Sequence, residues 1–336
     1  MRELELIEQI RRTFTATASR GRAVALGIGD DCAILRPPSG SEMLVTTDFT
    51  LENRHFRRNL HSPESVGHRC LARGLSDLAS MGAVPMAAFL SLAVPSDLLA
   101  KSQGRGWITR FFNGLQELAK LHSVGLAGGD TAESPADLIL ADIILLGSAP
   151  AGRSMRRSGA KPGDSLYVTG SLGGAAAELG AMLSGPARRT RAASLIGHPH
   201  LFPQPRIATG RTLLRRKLAT SCIDVSDGLS TDLSHLCRAS GLAAEVERTA
   251  IPLHPLARRL EAEAALSAAL HGGEDYELLF AAPASVRMPR EIEGVPITRI
   301  GRFIPKRAKQ QLMALLAPDG SRATLEPQGW EHFSRH

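Results

Sequence analysis

The chain has 336 residues, 43% of them hydrophobic and 22% charged, with a formal net charge of +7. This length suffices for two domains with separate cores, and the composition is that of an ordinary soluble protein. The basic residues are dispersed and aromatic residues make up only 4% of the chain, which argues against a nucleic-acid surface.

The first residues, MRELELIEQIRRTF, interleave charged and apolar positions at helical spacing and lack the continuous apolar centre of a secretory signal. No segment reaches the roughly 18 uninterrupted apolar residues that a membrane helix needs. The most apolar stretch, LILADIILLG, is interrupted by Asp142. A cytoplasmic protein without a membrane partner is expected. Cys32, Cys70, Cys222 and Cys237 form no CxxC pair, so reduced structural thiols are expected rather than a disulfide framework or a zinc site.

Apolar runs of strand character alternate with helical periodicity along the first half. MLVTTD reads as a strand, ESVGHRCLARGLSDLASMG as a helix, PMAAFLSLAVP as a strand and WITRFFNGLQELAKLH as a helix. VGLAGGDT and DLILADIILLGSA supply two further strands, so one α/β unit is complete by about residue 150. A polar segment punctuated by Gly and Pro, GRSMRRSGAKPGD, separates it from a second unit. There SLYVTGSLGGAAAELGAML reads as strand, glycine turn and helix. It is followed by SCIDVSDGLSTDLSHLCRA, AAEVER, an Ala-rich helix near 260–270, and GGEDYELLFAAP. Domains of 1–150 and 151–336 are expected. The small, basic stretch SGPARRTRAASLIGHPH at 184–200 reads as a mobile connection.

Short acid-tipped segments recur through both units: GIGDD, TTD, LSDLASMGA, GGDT, DVSDG and GGEDYE. Crowded carboxylates repel one another and are costly to desolvate, and a hard divalent cation bridging them to phosphate relieves both effects. Asp30 and Asp31 follow a glycine bend. Thr46, Thr47 and Asp48 read as the oxygen-bearing end of a strand, and alternation sends neighbours to opposite faces if the strand continues. Asp77 lies on an amphipathic helix, where a capping role competes with a ligand role. Gly128 and Gly129 before Asp130 allow a phosphate or metal to approach the backbone. Asp224, Ser226 and Asp227 converge on a helix N-terminus, which attracts phosphate. Glu274 and Asp275 follow two glycines, one reaching a ligand and the other serving the turn. The chain has neither a GxxxxGK[ST] loop nor the kinase HRD and DFG pair, so nucleotide chemistry requires another scaffold.

The ordered set GIGDDCAIL, TTDFTLENRHF, LSDLASMGAVP, GGDT, RRSGAKPGD, IDVSDGL and GGEDYEL, running from about residue 25 to the C-terminal GWEHF, closely resembles the thiamine-monophosphate kinase family. The resemblance implies the two-domain α/β (α+β) fold of the aminoimidazole ribonucleotide synthetase superfamily. Its N-terminal domain would form the core of a homodimer and the ATP and metal site, and its C-terminal domain would complete the active site. The implied reaction moves the ATP γ-phosphoryl group to thiamine monophosphate, giving thiamine diphosphate and ADP.

Position by position, the resemblance assigns several magnesium ions to Asp30, Asp31, Thr46, Thr47, Asp48, Asp77, Asp130, Asp224 and Asp227. It assigns ATP to Gly129, Asp130, Arg157 and Ser226, and the substrate to His55, Glu274 and Trp330. Asp48, Asp130, Arg157 and Asp227 would act in the chemical step. Phe112 stands where a tyrosine often meets the nucleotide, and so lacks its hydroxyl hydrogen bond. Trp330 replaces a smaller aromatic and offers a stacking surface to a cationic thiazolium or a pyrimidine. Because the acceptor is an already ionised phosphate, in-line transfer needs positioning and charge neutralisation but no protein nucleophile or general base.

Three other readings stay open. A sister enzyme of the superfamily would want a reactive cysteine in a glycine-rich N-terminal segment or at the C-terminus, and the chain ends in HFSRH. A basic nucleic-acid binder has little support from the scattered charge. A silent nucleotide sensor is disfavoured by the intact acidic set.

Overall fold

The computed structural model describes residues 3–18, 23–185, 197–308 and 310–330. Most of the basic connection read at 184–200 therefore lies outside the described residues. The chain divides into two compact units, one of residues up to 78 with 83–152, the other of 79–82, 153–184 and 198 onward.

In the first unit, helix α1 (Glu3–Ala18) precedes two short strands, β1 (Val24–Leu26) and β2 (Ile34–Leu35), which pair antiparallel around the GIGDD loop. Strand β3 (Ser41–Leu51) follows, then α2 (Pro63–Ser80), β4 (Val84–Val94), α3 (Ser96–Ala100), α4 (Ser102–Leu121), β5 (Gly125–Glu133) and β6 (Leu140–Pro150). The sheet order is β3-β6-β4-β5, with β4 and β5 parallel and the other pairs antiparallel.

Alternation along β3 decides the architecture. Leu44 and Thr50 are buried on one face, where α2 crosses close to Thr46 and Leu145, while Met43, Val45 and Phe49 point the other way and are 45%, 64% and 61% exposed. Under the covered face lie Leu71, Leu75 and Leu78 of α2 and Ile108, Phe111, Leu115 and Leu118 of α4, all fully buried. Each such side chain contributes roughly 1.5–3 kcal/mol on removal from water. Phe56, Trp107 and Phe111 form a stacked ladder, with centroids 6.3 and 5.7 Å apart.

The second unit holds β7 (Ser165–Thr169), α5 (Gly174–Ser184), α6 (Ile207–Arg215), β8 (Ser221–Val225), α7 (Leu229–Ser240), β9 (Leu242–Glu247), α8 (Ala262–His271), β10 (Glu277–Ala282), β11 (Glu291–Ile292), β12 (Val295–Pro305), β13 (Met313–Leu316) and β14 (Arg322–Thr324). Its sheet runs β14-β13-β9-β12-β7-β10-β8, with β11 paired to β12. Leu166, Val168, Val225, Leu229, Leu233, Leu236, Leu279 and Phe303 form its dry core. Beside it, the part-buried Arg206 grips Glu277 with Nε at 2.7 Å and Nη2 at 2.5 Å, and the Thr169 hydroxyl donates to the same carboxylate at 2.6 Å. Removing one member of such a buried pair costs about 3–5 kcal/mol, so Glu277 reads as structural.

All four cysteines are free. Burial pushes the Cys70 and Cys237 thiols up to about 12, which keeps them protonated and inert, whereas Cys32 is exposed beside Asp31.

Candidate functional site

Two segments of the first unit meet around one cavity of about 820 Å³. The first is the loop Gly27–Ala33, in which Gly29 has φ +130° and the Asp31 N–H donates to Asp30 Oδ1 at 2.9 Å, leaving both carboxylates exposed. The second is Gly128–Thr131. It lies inside β5, paired to β4. Gly129 has φ +151°, and a Cβ there would stand 1.9 Å from the Leu90 carbonyl oxygen, so the parallel pairing demands glycine. Asp130 is exposed, and its Oδ1 accepts from the Thr131 N–H at 2.9 Å.

The cavity floor is apolar, made by Val45, Phe89, Ile144 and Leu146 of the uncovered sheet face. Its size and its apolar lining with a few acids at the rim suit a nucleotide. Phe112 also lines it, but only 2% of that residue is exposed, and its ring sits edge-on to Phe14 and Phe111 at 6.2 and 5.4 Å. Phe112 is therefore a core residue that forms part of the wall.

Thr46, Thr47 and Asp48 lie within β3 rather than at its end, because FTL continues the alternation to Leu51. Thr46 donates its hydroxyl to Asp77 Oδ2 of α2 on the covered face. Asp48 lies there too, with Arg73 Nε 3.8 Å from its Oδ1. Burial raises the Asp48 carboxyl to about 7; Asp77 and Asp142 add to the shift and Arg73 opposes it. On the opposite face Thr47 donates to Asp142 Oδ1 at 2.7 Å.

His55 is not a free loop side chain. Its Nδ1 accepts the Leu51 N–H at 2.9 Å, and its carbonyl accepts from Arg69 at 2.8 Å.

In the second unit the DVSDG segment links β8 to α7. Asp224 is buried at the end of the strand, Ser226 and Asp227 are half-buried, and Gly228 turns the chain with φ +106°. Asp232, in the first turn of α7 and only 2% exposed, takes the Ser226 and Asp227 N–H groups on one oxygen, Oδ2, each at 3.1 Å. Burial, with Asp224 and Asp227 nearby, pushes the Asp232 carboxyl well above the usual carboxylate range.

Two predicted residues are bonded to the same loop. The Glu274 N–H donates to the Ser226 carbonyl at 2.8 Å, and its Oε2 lies 3.1 Å from Nδ1 of the buried His200. The Trp330 N–H donates to the Asp227 carbonyl at 3.1 Å, with the side chain 44% exposed. Gly329 is pressed so closely against Asp227 that a Cβ would stand 1.8 Å from its carbonyl oxygen. Arg157 is exposed and its carbonyl accepts from the Ser240 hydroxyl. His235 of α7 is held below its ordinary range by burial, then by Arg157 and Arg238, against Asp227, so Arg157 and Asp227 act on one side chain. Asp275 is the turn partner of Glu274. It caps α5, accepting from the Gly173 and Ala175 N–H groups at 2.6 and 3.1 Å.

Among the described residues no three His, Cys, Asp or Glu side chains assemble a ready-made metal cluster. The donors present are hydroxyls and carboxylates in small groups, and the charged form of Asp48 is disfavoured by burial and then by Asp77 and Asp142. Such a set suits a hard divalent ion that completes its shell with phosphate oxygens and water. Two acids escaped the sequence reading as site residues. Asp142 was signalled as the lone charge in an apolar strand, and Asp232 by its place in the first turn after DVSDG.

Residues 29–149 match the family described as AIR synthase related protein, N-terminal domain, and residues 161–309 match AIR synthase related protein, C-terminal domain. The fold is thus the two-domain fold of the AIR synthase related proteins. The chain is 38% identical over 332 residues to thiamine-monophosphate kinase of Escherichia coli strain K12, covering 97% of each. The crystal structure of thiamine-monophosphate kinase from Stenotrophomonas maltophilia K279a superposes with a TM-score of 0.80 at 33% identity, over 94% of this chain and 97% of that one. A structure described as AaThiL complexed with AMPPCP and TMP superposes with a TM-score of 0.74 at 29% identity, over 99% of both chains. The chain belongs to the thiamine-monophosphate kinase family.

Proposed function

We propose that this chain transfers the γ-phosphoryl group of ATP directly to the phosphate of thiamine monophosphate, giving thiamine diphosphate and ADP. The observation that carries the reading is the meeting of Asp30, Asp31, Gly129 and Asp130 around a nucleotide-sized cavity in a chain that matches this family end to end. The family's structure with AMPPCP and TMP supports the same pair of ligands here.

Residues of both units receive roles. Gly129, Asp130 and Ser226 contact the nucleotide, and Phe112 forms part of its wall. Arg157 offsets charge on the transferring and leaving phosphates. His55, Glu274 and Trp330 receive the acceptor. Asp30, Asp31, Thr46, Thr47, Asp48, Asp77, Asp130, Asp224 and Asp227 are the oxygen donors for magnesium, in shells shared with phosphate and water. Magnesium, when bound, neutralises the two polyanions and aligns them. Asp48, Asp130 and Asp227 act by holding that charge in place. Asp232 fixes the amides of Ser226 and Asp227, so the loop carries its ligands in a set geometry.

A homodimer and a cytoplasmic location complete the reading. The side chains of Met43 and Phe49, outside the cavity lining, are 45% and 61% exposed on one sheet face, which supports pairing of that part of the face with a second copy. The deciding experiment offers magnesium and ATP with thiamine monophosphate or thiamine in parallel. Thiamine diphosphate formed only from the monophosphate is the expected result. ATP turnover or binding with neither acceptor used would overturn the assignment of the acceptor.

A further inference from the structure

One sheet face of the first unit carries a transverse row in which the reading above uses Phe49 and Asp130 but not Asp142. Strand register places Phe49 opposite Asp142, Asp142 opposite Ser91, and Ser91 opposite Asp130. Residues in register share a face, so Asp142 stands on the same side as Asp130, two strand spacings or about 10 Å away. A single small ion cannot touch both carboxylates across that gap.

Asp142 does reach Thr47, whose hydroxyl donates to its Oδ1 at 2.7 Å. A hydroxyl has one proton and two lone pairs. When a carboxylate takes the proton, both lone pairs turn outward and the oxygen gains electron density, which is the state in which it coordinates a hard cation. Thr46 makes the matching bond to Asp77 on the opposite face, so two consecutive threonines are each locked by an acid from a different element.

We propose that Asp142 is a positioning residue for the magnesium–nucleotide site: it orients the Thr47 hydroxyl and adds a negative charge behind it. This inference rests on the magnesium role proposed for Thr47.

The test is a calorimetric titration of a non-hydrolysable ATP analogue at graded magnesium concentrations, for wild type, D142A, D142N, T47V and the double variant D142A/T47V. Partners behind a metal ligand typically change affinity by about 10- to 100-fold. The magnesium concentration for half-maximal nucleotide binding should therefore rise by about tenfold in D142A. D142N, which keeps an acceptor but no charge, should fall between D142A and wild type. T47V should resemble D142A, and the double variant should be no worse than T47V alone. Unchanged thermal midpoints, and recovery of turnover in D142A at saturating magnesium, would accompany a positioning role. A magnesium requirement in D142A within about twofold of wild type would overturn the inference while leaving the magnesium reading standing. Additive losses in the double variant would also overturn it. Magnesium-independent nucleotide binding by the wild type would remove both.

Discussion

Replacing Asp232 with alanine removes one oxygen and thereby strips two backbone N–H groups, those of Ser226 and Asp227, of their acceptor. An orphaned buried donor costs about 1–3 kcal/mol. Because Ser226 and Asp227 are half-buried, water recovers part of that loss, so about 2–4 kcal/mol in total is expected for D232A. D232N behaves differently. Both bonds converge on Oδ2, so the single carbonyl oxygen of asparagine accepts both and stability stays within about 1 kcal/mol of wild type. Urea denaturation followed by circular dichroism reads the difference, and initial-rate kinetics reads its functional echo. The Michaelis constant for ATP should rise about tenfold or more in D232A, since a misplaced loop loses its alignment, and little in D232N. Equal stability of D232A and wild type, or equal damage by alanine and asparagine, would refute the account of this carboxylate as an amide acceptor.

Further outcomes follow from single sites. G129A forces a Cβ against the Leu90 carbonyl at a glycine-only φ. Strain and overpacking together should cost about 2–6 kcal/mol and weaken nucleotide binding, as checked by denaturation and calorimetry. D48N and D227N should reduce turnover by orders of magnitude while leaving circular dichroism unchanged, and a phosphorylated enzyme intermediate in any of these proteins would sink direct transfer. Burial holds His122 down at about 4, against an unfolded value near 6.5, and its Nε2 has no hydrogen-bond partner among the described residues. The neutral ring is favoured in the fold, so this stability is present above pH 6.5 and lost as pH falls towards 4, by up to about 3 kcal/mol. In H122Q the acid side of the stability profile should flatten. F49E, placing charge on the open sheet face, should shift sedimentation towards the monomer.

The alternation in MLVTTD, the helical period of ESVGHRCLARGLSDLAS and the apolar run of LILADIILLG were enough to anticipate β3, α2 and β6. They succeed because burial on one face leaves a period in the sequence. The short strands β11, β13 and β14 carry too few residues to show one. Gly128 and Gly129 were ambiguous for a physical reason: glycine marks either a turn or a close approach of two backbones, and here the parallel partner β4 supplies the second. TTD was read as the end of a strand. FTL carries the alternation on, and so parts Thr47 from Thr46 and Asp48. Asp142 and Asp232 act through strand register and a helix turn that exist only once the chain has folded, so their residue types alone revealed little.

The chain has two tryptophans, and the fold gives them unlike surroundings. Trp107 is stacked between Phe56 and Phe111, with its indole nitrogen shut away from solvent. Trp330 is 44% exposed, and its backbone is tied to the carbonyl of Asp227. The first should emit at short wavelength as a steady background, and the second at longer wavelength with an intensity that follows the DVSDG loop. The protein thus carries its own optical label for whatever occupies that loop, and W330F, by silencing it, supplies the blank.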